Sequence, residues 1–465
     1  MKKKLFLLFA SICFGAITHA QSNDDLVKAC KSGNLAEVKS LIDKGADVNY
    51  GDGAVISASI FYVDVVNYLI EKGAKVNAGA YPPLVNACLY GSPEVIKALL
   101  DAGADPNKPA VTEVSAQFQK MVDDEKAKGK SGNKDLIKTW EGIVKSMKSS
   151  PPVVNYAMTN LVTGTNCLDC MKMLVEKGGK TDMINSISGS NLLGDFATSG
   201  RSKKARAISN KVNADALDKY GMPVPDWYKN SDESKMASPE EIVKYLVSKG
   251  VDINLKNKLK NSPLMESLVV IPAIVQSEVI VAMINNGADI KIESILYGKP
   301  MLIAAGNGQI DVMEALLSKG ANINDEFSVD DITTGQNLKG ITTLMWAASN
   351  NHLEAVKFLI EKGVNLNEFA HGTSLNRKTM CITNVEGKNA MYYAIESGNI
   401  EIVQALLNTS HGWGRAFVIK QRKEKTDNGI YTTTYCFSIG AFIPSAYAKE
   451  MGFPEIQALL KSKLI

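Results

Sequence analysis

LLSKGANIN, residues 316–324, is one of eight copies of a nine-residue phrase. The others are LIDKGADVN (41–49), LIEKGAKVN (69–77), LLDAGADPN (99–107), LVEKGGKTD (174–182), LVSKGVDIN (246–254), MINNGADIK (283–291) and LIEKGVNLN (359–367). Two apolar residues at the start close the buried face of a helix. The glycine supplies the left-handed turn that ends the helix. The Asp or Asn after it caps loose backbone groups and starts an extended loop. Repetition at this spacing describes a stacking unit, which cannot bury its own apolar face.

Upstream of each phrase lies a second pattern. Residues 298–320 read GKPMLIAAGNGQIDVMEALLSKG, and residues 340–363 read GITTLMWAASNNHLEAVKFLIEKG. Both predict a short helix, a tight turn and a longer helix, with Met313, Leu316 and Leu317, or Val356, Leu359 and Ile360, at helical spacing. Gly287 and Gly320 are 33 residues apart.

These residues resemble the ankyrin repeat. Ser262-Pro263-Leu264-Met265, Pro83-Leu84-Val85 and Thr342-Thr343-Leu344-Met345 stand in that family's Thr-Pro-Leu-His slot. Ala304-Ala305 and Ala347-Ala348 stand for its paired alanines, and Gly91, Gly308 and Gly398 for its central turn. The histidine of the slot is replaced by Val27, Val85, Met265, Leu302, Met345 and Tyr392. The resemblance therefore implies the fold with apolar packing in place of the usual hydroxyl–histidine network. It also implies protein binding through loop tips and the concave face of the short inner helices.

The expected fold class is all-α: a solenoid of about nine to ten helix-turn-helix repeats with helical and β-hairpin insertions. Residues 21–107 hold repeats 1–3, 151–182 repeat 4 and 238–367 repeats 5–8. Residues 388–410 make repeat 9, and 442–465 a capping repeat with solvent-facing lysines. Between them lie insertions. Residues 108–150 predict a helical hairpin, with Val114, Phe118, Met121 and Val122 on one arm and Leu136, Trp140, Ile143 and Met147 on the other. Residues 183–237 read as irregular, and a shorter insertion falls at about 325–340. Residues 368–387 are a further insertion, and 411–441 carry strand-like alternation around Asp427-Asn428-Gly429, a hairpin-turn signal.

Residues 1–20 read as a signal peptide. Lys2, Lys3 and Lys4 precede an apolar stretch from Leu5 to Ile17, and Ala20 is a small residue suited to cleavage. Its apolar run falls short of the roughly 20 residues that span a bilayer. The 465-residue chain has 52 basic and 49 acidic residues. Loss of the three lysines leaves 49 of each, so the mature chain is neutral and carries no nucleic-acid footprint. The expected location is periplasmic or secreted, with no membrane insertion after cleavage.

Chemistry has few places to reside. Cys167-Leu168-Asp169-Cys170 begins a second helix, where the helix dipole favours a thiolate. A redox pair needs a thioredoxin-like setting that this region lacks, and a zinc site needs two more ligands. A local disulfide or two packed thiols is the expectation, with a periplasmic thiol-redox protein as the alternative. Cys30 and Cys88 share one slot in repeats 1 and 3 and read as small buried hydrophobes. Cys381 and Cys436 fall in neighbouring strand-like insertions, where a disulfide is as expected as free thiols. His352 occupies a helix-capping position. Lys128-Gly129-Lys130-Ser131-Gly132 lacks the strand and glycine spacing of a phosphate loop. Trp140 and Trp346 sit at helical spacing and read as core.

No catalytic residue, metal ligand or cofactor is expected. The sequence leads to a protein-binding scaffold, with a secreted effector as a further alternative. Trp227, Tyr228 and Trp413, in the insertions, and His371 are the candidate contact residues. The partner is an unidentified protein.

Overall fold

The phrase forms as its residues dictate. Gly45, Gly73, Gly103, Gly178, Gly250, Gly287, Gly320 and Gly363 all adopt positive φ, between 79° and 99°. A β-carbon on seven of these, all but Gly45, would meet nothing within 4 Å. Backbone conformation therefore demands glycine there, and space does not. The seventh residue then makes an Asx turn: Asp47, Asp105, Asp252, Asn322 and Asn365 each accept the amide two residues on, at 2.8–3.0 Å.

The structure is a computed structural model. It does not describe residues 1–21, 149–167, 200–214, 216–218, 220–236, 270–276, 410–415, 426–430, 435–439 and 464–465, nor short stretches at 52, 80–81, 91–92, 109–112, 130–132, 183, 185–187, 295–296, 332–335 and 377–380. The chain forms two compact units, Met1–Pro263 and Leu264–Ile465.

In the first unit, repeat 1 pairs residues 22–32 with Leu35–Asp43, repeat 2 pairs Ala54–Ala58 with Val63–Glu71, and repeat 3 pairs Pro83–Tyr90 with Pro93–Asp101. Leu168–Glu176 is the second helix of repeat 4. Each second helix turns one stripe inward: Val95, Ile96, Leu99 and Leu100 are buried in repeat 3. Cys30 and Cys88 are fully buried free thiols, as their slot implies.

The ninth residue of the phrase couples successive repeats. Asn49 Nδ2 donates to the Gly73 carbonyl at 3.2 Å, and Asn49 Oδ1 accepts the Lys75 amide at 2.8 Å. Asn77 does the same with Gly103 and Asp105, at 2.8 and 2.7 Å. Asn107 does it with Gly178 and Lys180, at 2.7 and 3.0 Å, across 71 and 73 residues of chain. The stack thus runs directly from repeat 3 to repeat 4, with Lys177 also paired to Asp101 at 2.9 Å. The intervening helices Glu113–Ala127 and Lys134–Lys148 pack on each other, with a Lys126–Glu141 ion pair at 2.7 Å between the arms. Val122 is buried, Met121 and Leu136 are 40% exposed, and Trp140, read as core, is half-buried.

The segment 183–237, read as irregular, contains a helix. Leu192–Ser199 buries Leu192, Leu193, Phe196 and Ala197 and packs on Pro239–Ser248. It is the first helix of repeat 5, and Pro239–Ser248 is the second. Asn191 caps it through the Gly194 amide at 3.0 Å and donates to the Asp252 carbonyl at 2.6 Å. The interruption, at 200–236, therefore falls inside a repeat and not between repeats.

Among its described residues the second unit stacks five helix pairs. They are Pro263–Val269 with Ser277–Asn285, Pro300–Gly306 with Ile310–Ser318, Thr343–Ser349 with Leu353–Glu361, Ala390–Ser397 with Ile400–Leu407, and Pro444–Glu450 with Pro454–Ser462. From repeat 7 to repeat 10, first helices contact first helices and second contact second. Asn324 Oδ1 accepts the Asn365 amide at 2.7 Å, continuing the coupling of the first unit. The helical solenoid stands, and so do its β-hairpin insertions. Their strands join into one antiparallel sheet of seven: β1 Glu326–Asp331, β2 Gln336–Thr342, β3 Ala370–Asn376, β4 Cys381–Lys388, β5 Ala416–Lys425, β6 Tyr431–Thr434 and β7 Gly440–Phe442.

Candidate protein-binding surface

The sheet order is β1-β2-β3-β4-β5-β6, with β7 pairing the near half of β5. Insertions after repeats 7, 8 and 9 contribute two, two and three strands. Two strands span about 9.6 Å, close to the roughly 8–10 Å between packed helices. Hairpins on successive repeats therefore meet edge to edge and bond. Thr342, Asn389 and Ile443, where the returning strands end, are the N-caps of the first helices of repeats 8, 9 and 10.

Apolar residues close the root of the sheet. Phe327, Leu338, Ile341 and Ala370 are buried, and the Phe327 ring stands edge-on to the half-buried Trp346, centroids 6.3 Å apart. A polar cluster lies beside them, which the sequence reading missed. Lys388, at the end of β4, is 2% exposed. Its ammonium pairs with Glu396 and sits 4.3 Å from the centroid of the Tyr393 ring. Glu396 also accepts the Tyr447 hydroxyl, so one carboxylate joins β4, repeat 9 and repeat 10. Burial and then Glu396 push the Tyr447 and Tyr393 phenols well above their ordinary value. Tyr393 Oη and Asn389 Nδ2 are buried without a hydrogen-bond partner. A lysine among Tyr and Asn gives no periodic signal, because its burial depends on two other repeats.

The candidate residues are dispersed. His371 is exposed on β3, paired with Lys339 of β2 and Glu386 of β4. Trp227, Tyr228, Trp413, Cys167 and Cys436 lie outside the described residues. Cys381 is on β4, between Asn376 of β3 and Arg422 of β5. Cys170 is fully buried and disulfide-bonded. The thiol-redox alternative turns on Cys167, the sulfur a substrate thiol would attack, which lies outside the described residues. His352 does begin a helix, but its ring makes no cap hydrogen bond.

Among the described residues no cluster of three His, Cys, Asp or Glu is arranged to hold a metal, and no helix is long and apolar enough to cross a membrane. A groove of about 690 Å³ runs along the second helices of repeats 8 to 10, lined by Leu353, Ile360, Ile400, Ala405 and Leu459 among others.

A family model described as ankyrin repeats (three copies) matches residues 26–110, 235–327 and 328–414, more than half of the chain. The chain belongs to the ankyrin-repeat family. Its relatives include Zygote-specific protein 3 of Chlamydomonas reinhardtii, 37% identical over 145 residues, which are 30% of this chain and 37% of that protein. Palmitoyltransferase Hip14 of Drosophila melanogaster is 34% identical over 94 residues, 18% of this chain and 15% of that protein. The chain thus spans well under half the length of either relative. The crystal structure of the human ASB11 ankyrin repeat domain aligns with 65% of this chain and 96% of that one, at 14% identity and a TM-score of 0.37. As an ankyrin-repeat protein, this chain departs from bare helix pairs chiefly in its insertions.

Proposed function

We propose that this ankyrin-repeat protein is exported and acts as a scaffold that binds a partner protein, with the sheet of its second unit as the main contact surface. The joining of three insertions into one seven-stranded sheet carries this reading. Seven bonded strands are ordered before any partner arrives, so binding there costs less entropy than ordering separate loops. Ankyrin repeats generally serve protein–protein interaction, which supports the class of partner. Lys2 to Lys4, the apolar stretch to Ile17 and Ala20 support export.

The test is affinity capture from fractionated native cells. One bait is the chain from residue 21, and the other has its strand insertions replaced by short loops. The intact bait is expected to retain a partner that the trimmed bait loses. Equal capture by both would overturn the sheet as the contact surface. Recovery of the native protein from the cytosol with residues 1–20 still attached would overturn export.

A further inference from the structure

We propose that the sheet of the second unit also carries a self-association interface, in which the acidic edge strand β1 of one copy adds to the far edge of the sheet of a second copy. This does not depend on the binding of another protein proposed above.

Charge is distributed unevenly across the sheet. Among the described residues β1 is bonded to β2 alone, and it contains Glu326, Asp330 and Asp331 with no basic residue. β5 contains Lys420, Arg422, Lys423 and Lys425 against the single acid Glu424. The far edge consists of two short uncharged strands, β6 beside Arg422–Lys425 and β7 beside Ala416–Val418. Among the described residues neither edge has a further strand partner, so each presents unpaired backbone groups to which a strand can add.

Distance decides which edges combine. Within one copy, β1 and β5 are four strand spacings apart, about 19 Å. That is well beyond the screening length of about 10 Å at 0.1 M salt, so the two charges do not satisfy each other. A β1 strand added to β6 of another copy lies two spacings from β5, about 9.6 Å. Pairing β1 with β1 sets Glu326, Asp330 and Asp331 against their own kind and is disfavoured. Only the head-to-tail arrangement joins unlike charges. Both halves of the match belong to this chain, which is why the occupant is a second copy. Such an interface is heterologous and, where rotation does not close it, extends into open chains. One strand pair is a small interface, so association is weak and concentration-dependent.

Sedimentation of the chain from residue 21, at about 10 to 500 µM, reads this directly. The mean mass is expected to rise with concentration at low salt and to fall back to monomer near 1 M salt, where screening acts within about 3 Å. Two variants separate charge from accident: Asp330→Lys with Asp331→Lys, and Lys420→Glu with Lys423→Glu and Lys425→Glu. Each alone is expected to be monomeric, and an equimolar mixture is expected to regain association, because each supplies the edge the other lacks. Amide exchange on the unaltered chain checks the same interface without substitutions: protection over 326–331 and 431–434 should grow with concentration. A chain that stays monomeric throughout, variants that associate as the parent does, a folded mixture that stays monomeric, or exchange at both edges that ignores concentration would each overturn the proposal.

Discussion

The His352 ring lies against Gly308 of the preceding repeat, so close that a β-carbon on Gly308 would come within 2.6 Å of Nδ1. The same relationship recurs twice. Tyr62 covers Gly33, and Phe453 covers Gly398. All three rings begin a second helix as its N-cap, and none makes a side-chain cap hydrogen bond. All three glycines sit in the turn of the repeat before, with φ of 69° to 73°. Ring on glycine is therefore an inter-repeat contact that takes the place of a polar cap.

Gly308→Ala is expected to lower stability by about 1–3 kcal/mol, since it adds both left-handed strain and a ring clash. His352→Ala in the same chain removes the clash and leaves the strain. Urea midpoints should therefore place the double variant above Gly308→Ala alone, once the cost of His352→Ala itself is subtracted.

Asn107→Ala removes both bonds that hold repeats 3 and 4 in register across the helical hairpin. The expected loss is about 1–2 kcal/mol. Amide exchange should localise it: the Lys180 amide loses its acceptor and its protection, while Lys75, held by Asn49, keeps its own.

Tyr447 and Tyr393 hold their protons above the ordinary phenol value of 10 because they are buried beside Glu396. The unfolded chain gives up these protons first. Their contribution is complete below pH 10 and drains away as pH rises through the folded values. Thermal midpoints should fall steeply above pH 10, and Tyr447→Phe should shift that fall upward while lowering stability at neutral pH.

Cys30 is fully buried, and burial pushes its thiol up to about 12; Cys88 is buried too, and its thiol is raised further. Neither forms thiolate at neutral pH. A thiol reagent should leave both unmodified in the native protein and label both in denaturant.

Local order was readable from the chain alone. The first seven residues of the phrase act locally: an apolar stripe, a left-handed glycine and, where the seventh is Asp or Asn, an Asx turn. Those effects are short-ranged, so helix ends and the turns between them follow without any neighbour. The first helix of repeat 5 escaped because Asn191-Leu192-Leu193-Gly194 lacks the usual Pro and Ala marks. Its burial against Pro239–Ser248 spans a 39-residue gap that no local pattern bridges.

The ring–glycine contacts, the Asn107 bridge, the Lys388 cluster and the sheet belong to the stack. Each joins groups from different repeats, and none has meaning until helix pairs lie about 8–10 Å apart. At that spacing hairpins two strands wide come into bonding distance, and loops written separately in the sequence become one surface.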